Sequence, residues 1–300
     1  MGAGCVTGAK RRTLKENAMS SILTNNSAMV ALQTLKSVNG NLAKTQDMIS
    51  TGKSIASAKD NSAIWAISKV MDSDVRGFKA ISESLSLGES TVAVASAAAE
   101  QVVDVLQEVK ALIVSAQSEN VDHAKIQADI DEKNAQVASI VSAAQFNGAN
   151  LLATDVDGNG ATSLSVLSSL DRVGTGAPTA ATITVATVDF EANVDLATDL
   201  TSITDTATAG TALGEIETFL QTAIDGAAAL GASAGRIEGQ GEFISKLTDS
   251  MVSGIGSLVD ADMEEASAKL QALQVQQQLA TQSLSIANQA PNNLLSLFRT

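Results

Sequence analysis

Apolar residues recur on a seven-residue beat along most of the helical stretches that this chain predicts. Ile64, Met71, Phe78, Leu85, Val92, Ala99, Leu106 and Ile113 share one register, and Ile67, Ile81, Ala95, Val102, Val109 and Ala116 fill the interleaved position three residues on. Asp74 and Gly88 are the exceptions in that second row. A 3.5-residue period draws a narrow apolar seam and implies a left-handed supercoil. The pattern predicts one long helix over 63–118, roughly 84 Å at 1.5 Å per residue. Asp60 or Asn61 is placed to cap its start. A second helix is expected over 122–144, with the stripe Ile126, Ile130, Val137, Ile140 and Ala144 interrupted by Lys133. A third keeps the beat through Ile216, Ala223, Leu230, Ile237, Ile244, Met251 and Leu258, with Leu213, Leu220, Ala227, Ala234 and Ile255 between. Such helices pack against one another as a bundle.

Both ends of the chain repeat the pattern. Ala28, Leu35, Leu42 and Ile49 alternate with Ala31 and Val38 near the start, and Met263, Leu270, Gln277 and Leu284 alternate with Ala266, Leu273, Ala280, Ala287 and Leu294 near the end. Two terminal helices are therefore expected to pair. They are unusual in carrying no charge over 20–34 or over 270–298, where Gln, Asn and Ser stand in place of Lys and Glu. Solvated helix faces are ordinarily dressed in charge. An uncharged amphipathic helix is read as packed on several sides against copies of itself, and alone it is marginal. Leu35, Leu42, Ile49, Leu270, Leu273, Leu284 and Leu294 are the expected assembly residues.

Between 152 and 210 the period changes. Ala181-Thr-Ile-Thr-Val-Ala-Thr-Val188 alternates with period two and is β-branched, so it reads as a strand. Asp157-Gly-Asn-Gly160 marks a turn. Arg172 and Arg236 are the only basic residues between Lys133 and Lys246. The expected fold is mainly α, a long antiparallel coiled-coil bundle from the N- and C-terminal segments with a small inserted β-containing outer module.

Composition agrees with thin cores between long helices: hydrophobic residues make up 45% of the chain, aromatics only 2%, and Tyr is absent. Two prolines, Pro178 and Pro291, leave the first half free of breaks. A net charge of −14 argues against a nucleic-acid partner, which would need a basic face. No stretch has the length and apolarity of a transmembrane helix, and no apolar run follows Lys10-Arg11-Arg12 as a secretory signal would require. No membrane insertion is expected. Cys5 is the only cysteine, so no intrachain disulfide is possible.

The search for chemistry finds no catalytic, cofactor-binding or metal-ligating set. His123 is the only histidine and falls at a helix start; a two-histidine zinc motif is impossible. Asp155-Val-Asp157-Gly-Asn159-Gly160 resembles the opening of a calcium loop, but Val166 occupies the position that needs a bidentate Glu. Gly239-Gln-Gly241 lacks the third glycine and the preceding strand of a dinucleotide site. The first eighteen residues are basic and Gly-rich, unlike the rest. Lys15-Glu16 can be encoded as a ribosome-binding sequence ahead of Met19, so the natural start is expected at Met19.

At this point the residues resemble a family. Ser21-Ile-Leu-Thr-Asn-Asn-Ser-Ala-Met29, Leu42-Ala-Lys-Thr-Gln46, Ile49-Ser-Thr-Gly-Lys53, Ser57-Ala-Lys-Asp-Asn-Ser-Ala63 and Ala144-Gln-Phe-Asn-Gly148 follow the N-terminal pattern of bacterial flagellins in order. Asp260-Ala-Asp262, Gln276-Gln-Gln278 and Ala287-Asn-Gln-Ala-Pro-Asn-Asn-Leu-Leu-Ser-Leu297 resemble the C-terminal pattern. Asn61-Ser-Ala-Ile-Trp65 is similar to the alphaproteobacterial form.

The resemblance implies a structural, non-enzymatic subunit that polymerises into the flagellar filament for motility. It implies residues 19–56 and 261–300 as inner-tube helices, 57–152 and 211–260 as rod helices with a β-hairpin near 146–152, and 153–210 as the outward-facing module. It also implies secretion without a cleaved signal through the flagellar export apparatus, an export chaperone, a filament cap and hook-junction proteins. Many flagellins carry a basic residue in a Leu-Gln-Arg-Val stretch read by an animal innate receptor; Leu106-Gln-Glu-Val109 reverses that charge and implies weak recognition. A hook–filament junction protein of the same family and a non-polymerising secreted coiled-coil protein are the alternatives.

Overall fold

The computed structural model describes residues 25–172 and 176–297, with side chains through 289. The chain divides into two compact units: one is 1–66 with 258–300, the other 67–257. The eighteen residues expected to precede the natural start lie outside the described residues.

Among the described residues six helices follow in chain order: α1 (Asn26–Thr51), α2 (Ser62–Ser115), α3 (His123–Ala143), α4 (Phe190–Asn193), α5 (Thr206–Val259) and α6 (Met263–Leu297). Two hairpins fall between α3 and α4: β1 (Gln145–Phe146) with β2 (Ala149–Asn150), and β3 (Ser163–Asp171) with β4 (Thr179–Ala186), both antiparallel. The caps explain where the helices begin. Asn61 Oδ1 accepts from the N–H groups of Ala63 and Ile64 at 3.2 Å each. Asp122 accepts from Lys125 N at 3.3 Å, and Asp205 accepts from Ala207 N at 3.0 Å and Thr208 N at 2.8 Å. Asn147-Gly148, both at positive φ, close the two-residue turn of β1–β2 in the way Asn-Gly favours.

The second unit is built on α2, α3 and α5. Phe78, Leu85, Val92, Ala99, Leu106 and Ile113 of α2 are buried, as are Ile81, Ala95, Val102 and Val109 between them. Ile216, Ala223, Leu230, Ile237 and Ile244 of α5 face them from the same core. Lys110 pairs with Glu217 near one end of the helices and Gly254 lies against Met71 near the other, so α2 and α5 run antiparallel. Lys133, the interruption in the α3 stripe, reaches Glu108 of α2. Two sequence positions behave differently from the heptad reading: Ile67 and Leu258 are exposed, while Ile255 and Val259 beside Leu258 are buried.

The segment between α3 and α5 shares this core. Val166, Ile183, Val185, Phe190, Val194, Leu196, Leu200 and Ile203 are buried in one cluster with the helices. The sequence reading found β4 but not its partner β3. The two heptad exceptions are where the hairpin docks. Asp74 takes Arg172, at the end of β3, at 2.6 Å. A Cβ on Gly88 would lie 2.5 Å from a methyl of Val166, and one on Gly77 would lie 2.5 Å from a methyl of Leu170. Gln240 of α5 donates to the Ser168 carbonyl at 2.9 Å from the other side. Removing the side chain at Gly77 and Gly88 lets a strand approach a helix closely.

Candidate assembly surface

The first unit is a pair of helices. Asn25 caps α1 through Oδ1, which accepts from Ala28 N at 3.0 Å, and its Nδ2 donates to the Ala287 carbonyl of α6 at 2.7 Å. Further along, Gln277 donates to Asn39 Oδ1 at 2.8 Å. At the far end Gly52 takes φ 69°, the left-handed cap that ends α1, and its carbonyl accepts from Ala261 N at 2.9 Å. Ser54 N donates to the Val259 carbonyl at 2.7 Å, and Lys53 and Asp260 form an antiparallel bridge. These ties set α1 and α6 antiparallel in one register. Asp262 caps α6, accepting from Glu264 N at 2.9 Å and Glu265 N at 3.1 Å, and both glutamates sit favourably in the first turn.

The seam between α1 and α6 holds six of the seven expected assembly residues. Leu273 is buried; Leu35, Leu42, Ile49, Leu270 and Leu284 are half-buried. Leu294 lies in the helical backbone of α6, with its side chain outside the described residues. Val38, Ala266 and Ala280 complete the seam, and Thr45 is buried in it with its hydroxyl donating to the Asn41 carbonyl at 2.9 Å. A second set was not picked out from the sequence. Met29, Val30 and Leu32 of α1 and Val275, Leu279 and Ile286 of α6 are exposed. With Ala268 and Ala272, also exposed, the α6 residues keep spacings of four, three, four and seven: a second heptad stripe on the opposite side of the helix from its seam with α1. The signal was present in the sequence as these spacings, but the first seam masked it.

The chemical candidates take structural places. His123 Nε2 lies 2.9 Å from the Ala116 carbonyl, closing the end of α2. The Asp157 carboxylate accepts from Asn159 N at 2.9 Å within its own turn, which holds it below the ordinary carboxylate value. Val166, where a calcium loop would need Glu, is buried against Gly88. A cleft of about 680 Å³ beside α3 is lined by Asn134, Ser139, Ser142, Asn150, Glu191 and Asp195 over a floor of Val137, Val141 and Phe190. Asn150 is committed there, donating to the Val141 carbonyl at 2.7 Å. Among the described residues, no group of three His, Cys, Asp or Glu side chains is placed to hold a metal ion, and no helix is long and apolar enough to cross a membrane.

Long seamed helices, paired ends without charge and a second apolar stripe on one of those ends define a structural subunit that associates with other chains. Two family models match: the bacterial flagellin N-terminal helical region over residues 22–157, and the bacterial flagellin C-terminal helical region over residues 213–298. The chain belongs to the bacterial flagellin family. It is 42% identical over 288 residues to a flagellin of Brucella melitensis and 40% identical over 285 residues to flagellin FljM of Caulobacter vibrioides. It is 34% identical over 330 residues to flagellin C of Rhizobium meliloti. Each alignment covers 94% of this chain and 100% of the relative. Among solved structures, Bacillus cereus flagellin aligns with a TM-score of 0.45 at 18% identity, over 53% of this chain and 86% of that one. The chain is thus a structural subunit of the extracellular flagellar filament, a homopolymer that serves motility.

Proposed function

We propose that the α1–α6 pair is the element through which copies of this chain polymerise, and that the protein does its work without catalysis. The observation that carries this reading is a helix pair, free of charge over 20–34 and 270–298, that satisfies its own seam yet leaves large apolar side chains exposed on both helices. A helix that is apolar on more than one face is stable in water only when something covers it. In this reading residues 19–56 and 261–300 supply the inner tube, 57–152 and 211–260 the rod helices, and 153–210 the variable segment. The seam residues Leu35, Leu42, Ile49, Leu270, Leu273, Leu284 and Leu294 act by holding the pair together, so they are needed for assembly whether or not they touch a neighbour. Delivery runs through the flagellar export apparatus with an export chaperone, and growth takes place beneath a cap on a base of hook-junction proteins. A chain without disulfides suits passage in an unfolded form.

Electron microscopy of purified chain, seeded with short flagellar fragments, tests the reading. The full chain elongates the seeds. A chain ending at residue 270 does not, while it keeps the thermal transition of the second unit. Equal elongation by both chains would remove the terminal pair from the mechanism.

A further inference from the structure

The exposed apolar surface of the α1–α6 pair has two shapes. On one flank lies a groove of about 360 Å³, floored by Ala31, Val38 and Ala280 and walled by Thr34, Leu279 and Ser283. Val30, one helical turn before Thr34, extends its rim. The other flank carries a ridge. Leu32 lies two residues from Thr34, about 160° away around the helix, and Met29 lies five residues away, about 140°. Both therefore project on the side of α1 away from the groove, and they are 43% and 60% exposed. Beside the ridge, the corresponding flank of α6 offers polar side chains, Gln278, Gln282, Ser285 and Gln289, so among the described residues α6 gives it no apolar cover.

We infer that the Met29–Leu32 ridge of one copy seats in the Ala31–Val38–Ala280 groove of the next. The inference rests on the assembly reading above and names the surfaces it uses. Three observations favour a second copy as occupant. The ridge and the groove belong to the same helix pair, so every copy carries both halves of the contact. Neither half carries charge: 20–34 and 270–298 contain no Asp, Glu, Lys or Arg, so the fit is by shape and apolar cover rather than ion pairing. The floor is made of small residues, which admit an unbranched or γ-branched knob such as Met or Leu. Placing the two halves on opposite flanks makes the contact heterologous. Such a contact does not close as a two-fold dimer; it repeats from copy to copy, as a ring where the rotation closes and as an open array, the form a filament needs, where it does not. The seam's Leu35, Leu42, Ile49, Leu270, Leu273 and Leu284 cannot supply the knob, because they are already engaged within the chain; of the seam, only Ala31, Val38 and Ala280 reach the groove, as its floor.

Cysteine cross-linking tests it. In a full-length Cys5→Ser background, one preparation carries Leu32→Cys and another Ser283→Cys. The two are mixed, grown on flagellar seeds and treated with a short bis-maleimide. Cross-linked dimers are expected from mixed filaments and not from the soluble mixture. Met29→Cys with Thr34→Cys reads the same contact should either first variant fail to elongate. Pairing Leu32→Cys with Gln278→Cys, on the amide flank, should give little product. Filaments that form without the Leu32–Ser283 or Met29–Thr34 product, or that give it no better than the Gln278 pairing, overturn the inference and leave the assembly reading standing. Failure of the unmodified chain to elongate seeds overturns both.

Discussion

Gly88 tests how the β3–β4 hairpin is held on α2. The residue occupies a seam register where the heptad calls for an apolar side chain, and the space is filled instead by Val166 from β3. A Cβ added at Gly88 lies 2.5 and 2.7 Å from the two methyls of Val166 and 3.2 Å from its Cβ, distances that force movement. Replacing glycine by alanine in an open helix is favourable by about 1 kcal/mol. Gly231 in α5 supplies that reference, since nothing lies within 4 Å of a Cβ there. At Gly88 the same gain is opposed by an overpacking cost of about 1–3 kcal/mol. Gly88→Ala and Gly231→Ala should therefore differ by about 2 kcal/mol, or about 4–8 °C in melting temperature for a body of this size. Val166→Ala removes both clashing methyls. Alone it loses about 1–2 kcal/mol of burial; combined with Gly88→Ala it should show a favourable coupling of about 1–2 kcal/mol. Thermal and urea unfolding of the monomer, followed by circular dichroism, measures all four proteins. Equal stability of Gly88→Ala and Gly231→Ala, or no coupling with Val166→Ala, would mean that the hairpin does not rest on α2 at this point.

Three further outcomes are expected. Leu273→Asp puts a carboxylate into the α1–α6 seam, where an unpaired buried charge costs several kcal/mol; seeded elongation should stop while the second unit keeps its unfolding transition, and normal filaments would refute this. Arg172→Leu leaves the part-buried Asp74 without its partner and should cost about 1–3 kcal/mol in urea unfolding; Asp74→Leu added to it should recover most of the loss, because Asp74 stands in an apolar register. The third concerns pH. The backbone N–H of Thr208, and further its hydroxyl, hold the Asp205 carboxyl below the ordinary carboxylate value. A depressed folded value means that this contribution is present above the unfolded pKa and is lost as pH falls through the folded one. Asp205→Ala should thus lower amide-exchange protection in the first turn of α5 at neutral pH and match the parent in strong acid; a deficit that persists unchanged in acid would show that the carboxylate charge is not the cause.

Much of the helical frame was legible because a seven-residue period leaves little choice of face. The register from Phe78 to Ile113 reads directly onto buried positions, and Asn61 and Asp122 cap as their side chains suggest. The failures have particular causes. β3 alternates Ser with Leu and Val, a weak strand signal when Ser is turned inward, as Ser168 is. α5 begins at Thr206, ahead of the expected rod-helix boundary at 211, because Thr206, Thr208 and Gly210 are poor helix signals; the Asp205 cap and burial of Ala209 and Ala212 make up for them. Ile67 and Leu258, apolar and in register, are exposed at the two places where the chain passes from one unit to the other.

The exceptions to the pattern proved more informative about architecture than its regular positions. Asp74 and Gly88 look like defects in a coiled-coil seam, yet each is the partner of a specific residue in the inserted hairpin. A seam broken by a small or charged residue marks the place where a third element replaces the missing side chain. The terminal helices show the converse. Their strongest heptad is engaged within the chain itself, so reading it identifies first the residues that hold the pair together. The residues left over after that seam is drawn, Met29 and Leu32 on one helix and Val275, Leu279 and Ile286 on the other, have no reason in the monomer to be apolar. In a protein that must be soluble before it polymerises, such leftovers should be few, uncharged around their edges and regular in spacing, and these are. The assembly code of this chain is therefore best sought in the second apolar stripe of a helix that already has one.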